Sequence, residues 1–168
     1  MKRKNEPSIC FVIRRLFEHS LKKQWYETYW AIDIHGTIIM PDYRKTGKSI
    51  IKFYPFAKET LQIMSKRDDI KLIISSSSYP HELKEYIKVF EKEGIHFDYI
   101  NENPEITHAK GSFGYYQDKY YFNILFEDKA GFIPENDWEC VYNLMLEYSN
   151  KLPDKKWSMK YKEDYHKS

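Results

Sequence analysis

One carboxylate does most to constrain what this chain can fold into. Asp33 ends the apolar run Tyr29-Trp30-Ala31-Ile32 and opens the segment Asp33-Ile34-His35-Gly36-Thr37. An unbroken run of aromatic and β-branched residues reads as a strand buried on both faces. A charge set at the mouth of such a strand costs free energy that packing does not return. Open α/β sheets, however, bind ligands just outside the carboxyl ends of their strands. Asp33 is therefore expected where a ligand binds.

The rest of the chain supplies partners for that strand. Residues 9–24 carry Ile9, Val12, Ile13, Leu16, Phe17 and Leu21 at helical spacing, which predicts an amphipathic helix packed on the core. Strand one is expected over 27–34. A turn-rich stretch, 36–51, carries Pro41-Asp42 and Thr46-Gly47 and is followed by a helix over 55–66. The run Lys71-Leu72-Ile73-Ile74 predicts a second strand that exits through Ser75 to Ser78. A helix follows Tyr79-Pro80 and stops at Gly94. Residues 97–100 predict a third strand, 101–118 an irregular loop, 121–126 a fourth strand ending in Glu127-Asp128, and 134–148 a helix. Strands alternating with helices predict an α/β fold with a mainly parallel central sheet covered on both faces.

At 168 residues the chain suits one core, so residues 1–150 are expected to form a single domain and 151–168 a basic, flexible tail. A formal net charge of +2 makes no case for nucleic acid or a membrane surface. Cys10 and Cys140 stand far apart with no Cys/His cluster, which predicts reduced thiols rather than a disulfide framework or zinc site. The apolar stretch Cys10-Phe11-Val12-Ile13 runs at once into Arg14-Arg15. Neither a signal peptide nor a membrane span is expected, and the cytoplasm is the expected compartment.

Two strands that deliver carboxylates at their ends, with a hydroxyl-rich loop ending a strand between them, make a site for a divalent cation and a phosphate. Oxygen ligands of this kind suit Mg²⁺, usually held by one or two carboxylates plus substrate phosphate.

In that order of elements the chain resembles the haloacid dehalogenase-like phosphohydrolase superfamily, whose four motifs occur over about residues 30–132. The first motif, D-x-D-[GT]-T after a strand, is matched by Asp33-Ile34-His35-Gly36-Thr37. The resemblance implies a three-layer Rossmann-like sandwich, with Asp33 as nucleophile and the carbonyl of His35 as a backbone Mg²⁺ ligand. The second motif, a Ser or Thr ending the next strand, falls within Ser75 to Ser78, with Ser76 favoured for the phosphate contact and Ser75 its rival. Lys119 matches the third motif. Glu127-Asp128 matches the fourth, which implies Asp128 on the metal and Glu127 acting through a water molecule.

One departure stands out. His35 occupies the place where phosphatases of that superfamily carry a second Asp, which protonates the leaving group. Positioned acid/base catalysis is worth roughly 10²- to 10⁴-fold, and an imidazolium near neutrality is a competent donor. Neither stretch, 33–76 or 76–119, has room for core helices and a full cap domain, so the site is expected to be open. The implied reaction is hydrolysis of a phosphomonoester through an aspartyl phosphate. A nucleotide or a nucleic-acid end is a candidate substrate, with Tyr43, Tyr115 and Tyr116 available to stack on a base. The competing reading is a phosphate- or protein-binding module in which His35 records lost turnover. A basic nucleic-acid binder without an active site leaves the ordered carboxylates unexplained.

Overall fold

The computed structural model describes residues 6–41, 51–107, 116 and 118–152. Four short strands, β1 (Thr28–Ile32), β2 (Ile70–Ile74), β3 (Tyr99–Ile100) and β4 (Ile124–Phe126), form one sheet in the order β3-β2-β1-β4. Every pairing is parallel. Trp30 is level with Leu72 and Ile124, and Ile32 with Ile74 and Phe126. These six side chains therefore share one face, while Tyr29, Ala31 and Ile73 point to the other. Both faces of β1 are buried, as its unbroken apolar run requires.

Four helices, α1 (Ser8–Lys23), α2 (Ala57–Met64), α3 (Pro80–Lys92) and α4 (Pro134–Glu147), cover the Trp30 face. The buried positions of α1, Cys10, Ile13, Arg14, Phe17 and Ser20, recur every three or four residues, and the helix ends at Gln24 in a left-handed conformation. Phe17 meets Trp30 at 5.7 Å, Trp30 meets Phe126 at 5.9 Å, and Phe126 stacks on Trp138 at 5.3 Å between ring centres. That aromatic column joins α1 and α4 through the sheet. Right-handed crossovers put α2 and α3 on this same face, where Leu61, Met64, Leu83 and Phe90 enter the core.

The opposite face carries no helix among the described residues. The connection between β3 and β4 lies across it: the Tyr29 hydroxyl donates to Glu105 at 2.9 Å, and the Tyr29 ring meets Tyr121 edge-on at 6.0 Å. Helices, sheet and this irregular segment make the three layers of a Rossmann-like α/β fold.

Two strands begin later than their sequences predict, for one physical reason. A side chain takes the place of a ladder rung. The Asp98 carboxylate accepts the Leu72 N–H at 2.9 Å, so β3 starts at Tyr99 rather than at 97. The Asn123 amide oxygen accepts the Tyr29 N–H at 2.8 Å, so β4 starts at Ile124 rather than at 121.

Cys10 and Cys140 are joined by a disulfide that ties α1 to α4, with Cα atoms 6.4 Å apart. This corrects the expectation of two reduced thiols: distance in sequence hid a contact made by packing two helices. No described helix is long and apolar enough to cross a membrane. Tyr43, Tyr115 and all but the first two residues of the expected tail lie outside the described residues.

Candidate active site

The carboxyl ends of β1, β2 and β4 meet at Asp33. Its backbone N–H donates to the Phe126 carbonyl at 2.9 Å, tying the end of β1 to the end of β4. Beyond it the chain makes one tight turn, in which the Ile34 carbonyl accepts from both Ile38 and Ile39. An antiparallel stem follows, where Ile39 faces Phe53 and the Met40 N–H donates to Lys52. Gly36 sits inside the turn at φ +75°, and a Cβ there would lie 2.7 Å from Asp128 Oδ2. Glycine is thus required twice over, for a left-handed backbone and for the closeness of the carboxylate.

Thr37 locks this turn to the β4 exit. It is fully buried; its hydroxyl accepts the Asp128 N–H at 3.2 Å, and its carbonyl accepts the Trp138 indole N–H at 2.8 Å. Asp33, Glu127 and Asp128 are held so that one carboxylate oxygen from each lies within 4.8 Å of the others. The His35 carbonyl, on the same turn, accepts no backbone hydrogen bond among the described residues.

Charge is crowded here. Burial, above all, pushes the Asp33 carboxyl up, opposed by the Ile34 N–H, His35 and Lys129 and reinforced by Asp128. Glu127 is pushed up by burial first and then by its hydrogen bond with Asp128. Such a cluster is an unfavourable arrangement that a cation would relieve.

Ile32 is level with Ile74, so Ser75 is level with Asp33, and its N–H donates to the Ile32 carbonyl at 2.9 Å. The Ser75 hydroxyl makes no hydrogen bond among the described residues. The Ser76 hydroxyl is engaged: it donates to Ser78 Oγ at 3.1 Å and accepts the Ser78 N–H at 3.2 Å. Asn101, at φ 53°, bridges the Ser76 backbone through both ends of its amide. Sequence favours Ser76 over its rival Ser75, whereas the geometry favours Ser75 as the one available to a ligand.

Lys119 is not brought to the site. Asn123 is hydrogen-bonded level with Tyr29, four residues and roughly 13 Å along the strand from Asp33 at about 3.3 Å per residue. Lys119 precedes it, exposed, with its ammonium 5.8 Å over the Phe122 ring. Among the described residues, the lysine whose charge acts on Asp33 is Lys129. Its signal was in the sequence, directly after Asp128.

His35 is exposed, and its Nε2 lies 2.8 Å from the hydroxyl of Tyr86 on α3, with the two rings edge-on at 5.0 Å. Nothing in local sequence singled out Tyr86, which stands 51 residues away. A separate groove of about 210 Å³ lies at the β3 edge, floored by Ile74, Ile87, Phe90 and Ile100.

No family model matches the chain, and no curated protein matches it. It is similar to the solved structure of a conserved protein from Bacteroides thetaiotaomicron, at 27% identity over 72% of this chain and 91% of that one, with a TM-score of 0.54. That likeness supports the α/β fold.

Proposed function

We propose that this chain is a Mg²⁺-dependent phosphomonoester hydrolase of the haloacid dehalogenase-like kind, acting through an aspartyl phosphate on Asp33. The observation that carries the reading is the convergence of Asp33, Glu127 and Asp128 at the carboxyl ends of two paired strands, with the Ser75 hydroxyl level with Asp33. The donor set fits Mg²⁺: all its ligands are oxygen, and Gly36 leaves room for Asp128 to approach. Asp33, Asp128 and the His35 carbonyl would hold the ion, with Glu127 acting through water. The ion would offset repulsion between the carboxylate nucleophile and the phosphate.

The protein groups then have distinct work. An Asp33 oxygen attacks phosphorus, and the bond to the leaving oxygen breaks as His35 protonates that oxygen. Water next attacks phosphorus of the aspartyl phosphate, the bond from phosphorus to the Asp33 oxygen breaks and frees the carboxylate, and the water's proton returns to the neutral ring. Ser75 and Lys129 bind the equatorial phosphate oxygens, in the roles first given to Ser76 and Lys119. An open site admits nucleotides or nucleic-acid ends; of the three tyrosines proposed to stack on a base, Tyr116 alone lies among the described residues, and its ring meets Tyr121 edge-on at 5.5 Å.

A second reading is supported by His35 itself. An imidazole in the acid/base place, already engaged by Tyr86, suits a phosphate- or protein-binding module without turnover. The location proposed from sequence is the cytoplasm, whatever the activity, whereas the Cys10–Cys140 disulfide favours an oxidising compartment, where such bonds mainly persist. Thiol trapping from intact cells distinguishes the two compartments.

The test is Mg²⁺-dependent phosphate release from an activated aryl phosphate and a nucleotide panel. Activity that vanishes in Asp33→Asn supports the nucleophile. A wild type that is inert while His35→Asp turns over leaves the binding module standing and removes the hydrolase.

A further inference from the structure

We infer that Tyr86 is a positioning residue for His35, setting which ring nitrogen faces the reacting oxygen. The inference rests on the phosphatase reading only for its catalytic consequence, because the contact stands on geometry alone. Tyr86 reaches His35 from a different element, α3, and touches it in two ways, hydroxyl to Nε2 at 2.8 Å and ring edge to ring at 5.0 Å. Two contacts on an otherwise exposed ring restrict it far more than one would.

The phenol remains neutral in the working range, since burial, with Glu82 adding to it, pushes its ionisation upward. With Nε2 engaged by Tyr86, Nδ1 is the ring atom left for chemistry. Charged His35 donates Nε2–H to the Tyr86 oxygen and Nδ1–H to the leaving oxygen. Once that proton has gone, Tyr86 still accepts from Nε2–H, which leaves Nδ1 bare. Bare Nδ1 then takes the proton of the water that attacks the aspartyl phosphate, and the phosphorus bond to Asp33 breaks. A single tautomer serves both half-reactions, and an aspartate in this place would need no such support.

The experiment uses Tyr86→Phe, which keeps the ring contact and deletes the hydroxyl. Two phosphate esters are compared, an activated aryl phosphate whose leaving group needs no proton and an alkyl phosphate whose leaving group does. In kcat/KM, which reports the steps up to departure of the leaving group and so excludes the shared hydrolysis of the aspartyl phosphate, the alkyl ester is expected to fall roughly tenfold or more, within the range that acid/base catalysis supplies, while the aryl ester changes less than about twofold. In a His35→Ala background the same substitution should change neither. Nitrogen NMR of neutral His35 should show the Nε2–H tautomer in wild type and a mixture in Tyr86→Phe.

Equal losses of kcat/KM on both esters, or a loss that persists without His35, would make Tyr86 merely structural and overturn the proposal. If wild type hydrolyses neither ester, the phosphatase reading fails, and the tautomer spectrum decides the Tyr86 contact separately. An unchanged tautomer in Tyr86→Phe overturns it whatever the activity.

Discussion

One face of this sheet and its carboxyl end hold carboxylates in opposite ways. On the face covered by the β3–β4 connection, Glu105 accepts hydroxyls from both Tyr29 and Tyr99, and Asp98 is met by Lys71 at 3.1 Å and by the Leu72 N–H at 2.9 Å. Each acid there has its donors within the protein. At the carboxyl ends of β1 and β4, Asp33, Glu127 and Asp128 crowd one another, and burial raises Asp33 and Glu127. A satisfied carboxylate closes a structure, whereas a crowded one with few donors awaits charge from outside. The contrast separates clasp from site using hydrogen-bond partners alone.

Paired substitutions test that contrast most strongly. Asp33→Asn should lower phosphate-ester turnover by more than about 10³-fold, as removal of a nucleophile does, while thermal unfolding shows equal or greater stability because like charges are relieved. Glu105→Ala should do the reverse. Two phenol hydroxyls lose their acceptor at about 1–3 kcal/mol each, so denaturant melts should register a loss of roughly 2–6 kcal/mol, with kcat little changed. If Asp33→Asn destabilised the fold as much as Glu105→Ala, the acidic cluster would be a clasp too, and the distinction would collapse.

Gly36→Ala sharpens the site half of the comparison. Its Cβ would meet Asp128 Oδ2 at 2.7 Å in a backbone at φ +75°, and a left-handed non-glycine residue costs about 1–2 kcal/mol. Stability should fall by about that much, and Mg²⁺ binding, read by calorimetry, should weaken because Asp128 is displaced. Retained Mg²⁺ affinity would remove Asp128 from the ligand set.

Particular residues show how far sequence carried and where it stopped. Asp33, Glu127 and Asp128 were legible because each ends an apolar strand, and parallel pairing necessarily brings such ends together. The helices were legible because their apolar positions repeat on one side. Lys119 precedes β4, and in a parallel sheet that places it at the amino end of the strand, away from the carboxyl ends where Asp33 and Asp128 meet. Ser76 was favoured over Ser75 until register set Ser75 level with Asp33. Tyr86, Glu105 and the Cys10–Cys140 bond are partnerships across 51, 76 and 130 residues, visible only after the chain is folded. Lys129 is the exception: it lay beside the motif and was passed over for a lysine further upstream.

The smallest effect is also the most diagnostic, because pH acts on the two regions with separate windows. Burial raises Asp33 and Glu127, so their folded forms favour the proton more than the unfolded chain does. Their contribution is therefore fully present below the ordinary carboxylate pKa of about 4. It is lost as pH rises through the raised values. The clasp behaves differently. Tyr29 and Tyr99 are raised by burial first and by the Glu105 hydrogen bond next, so their contribution persists to about pH 10 and fades above it. Mg²⁺ should act only above the first window, where Asp33 and Glu127 have lost their protons. At pH 7 and tenfold over its dissociation constant it should add about 1.4 kcal/mol to wild type and little to Asp33→Asn, whereas at pH 4 protons compete and the gain should vanish. Glu105→Ala should retain the full Mg²⁺ gain at pH 7, being remote from the ligands. A gain equal at both pH values, or one lost with Glu105, would mean that Mg²⁺ binds elsewhere and that the crowded carboxylates do not form its site.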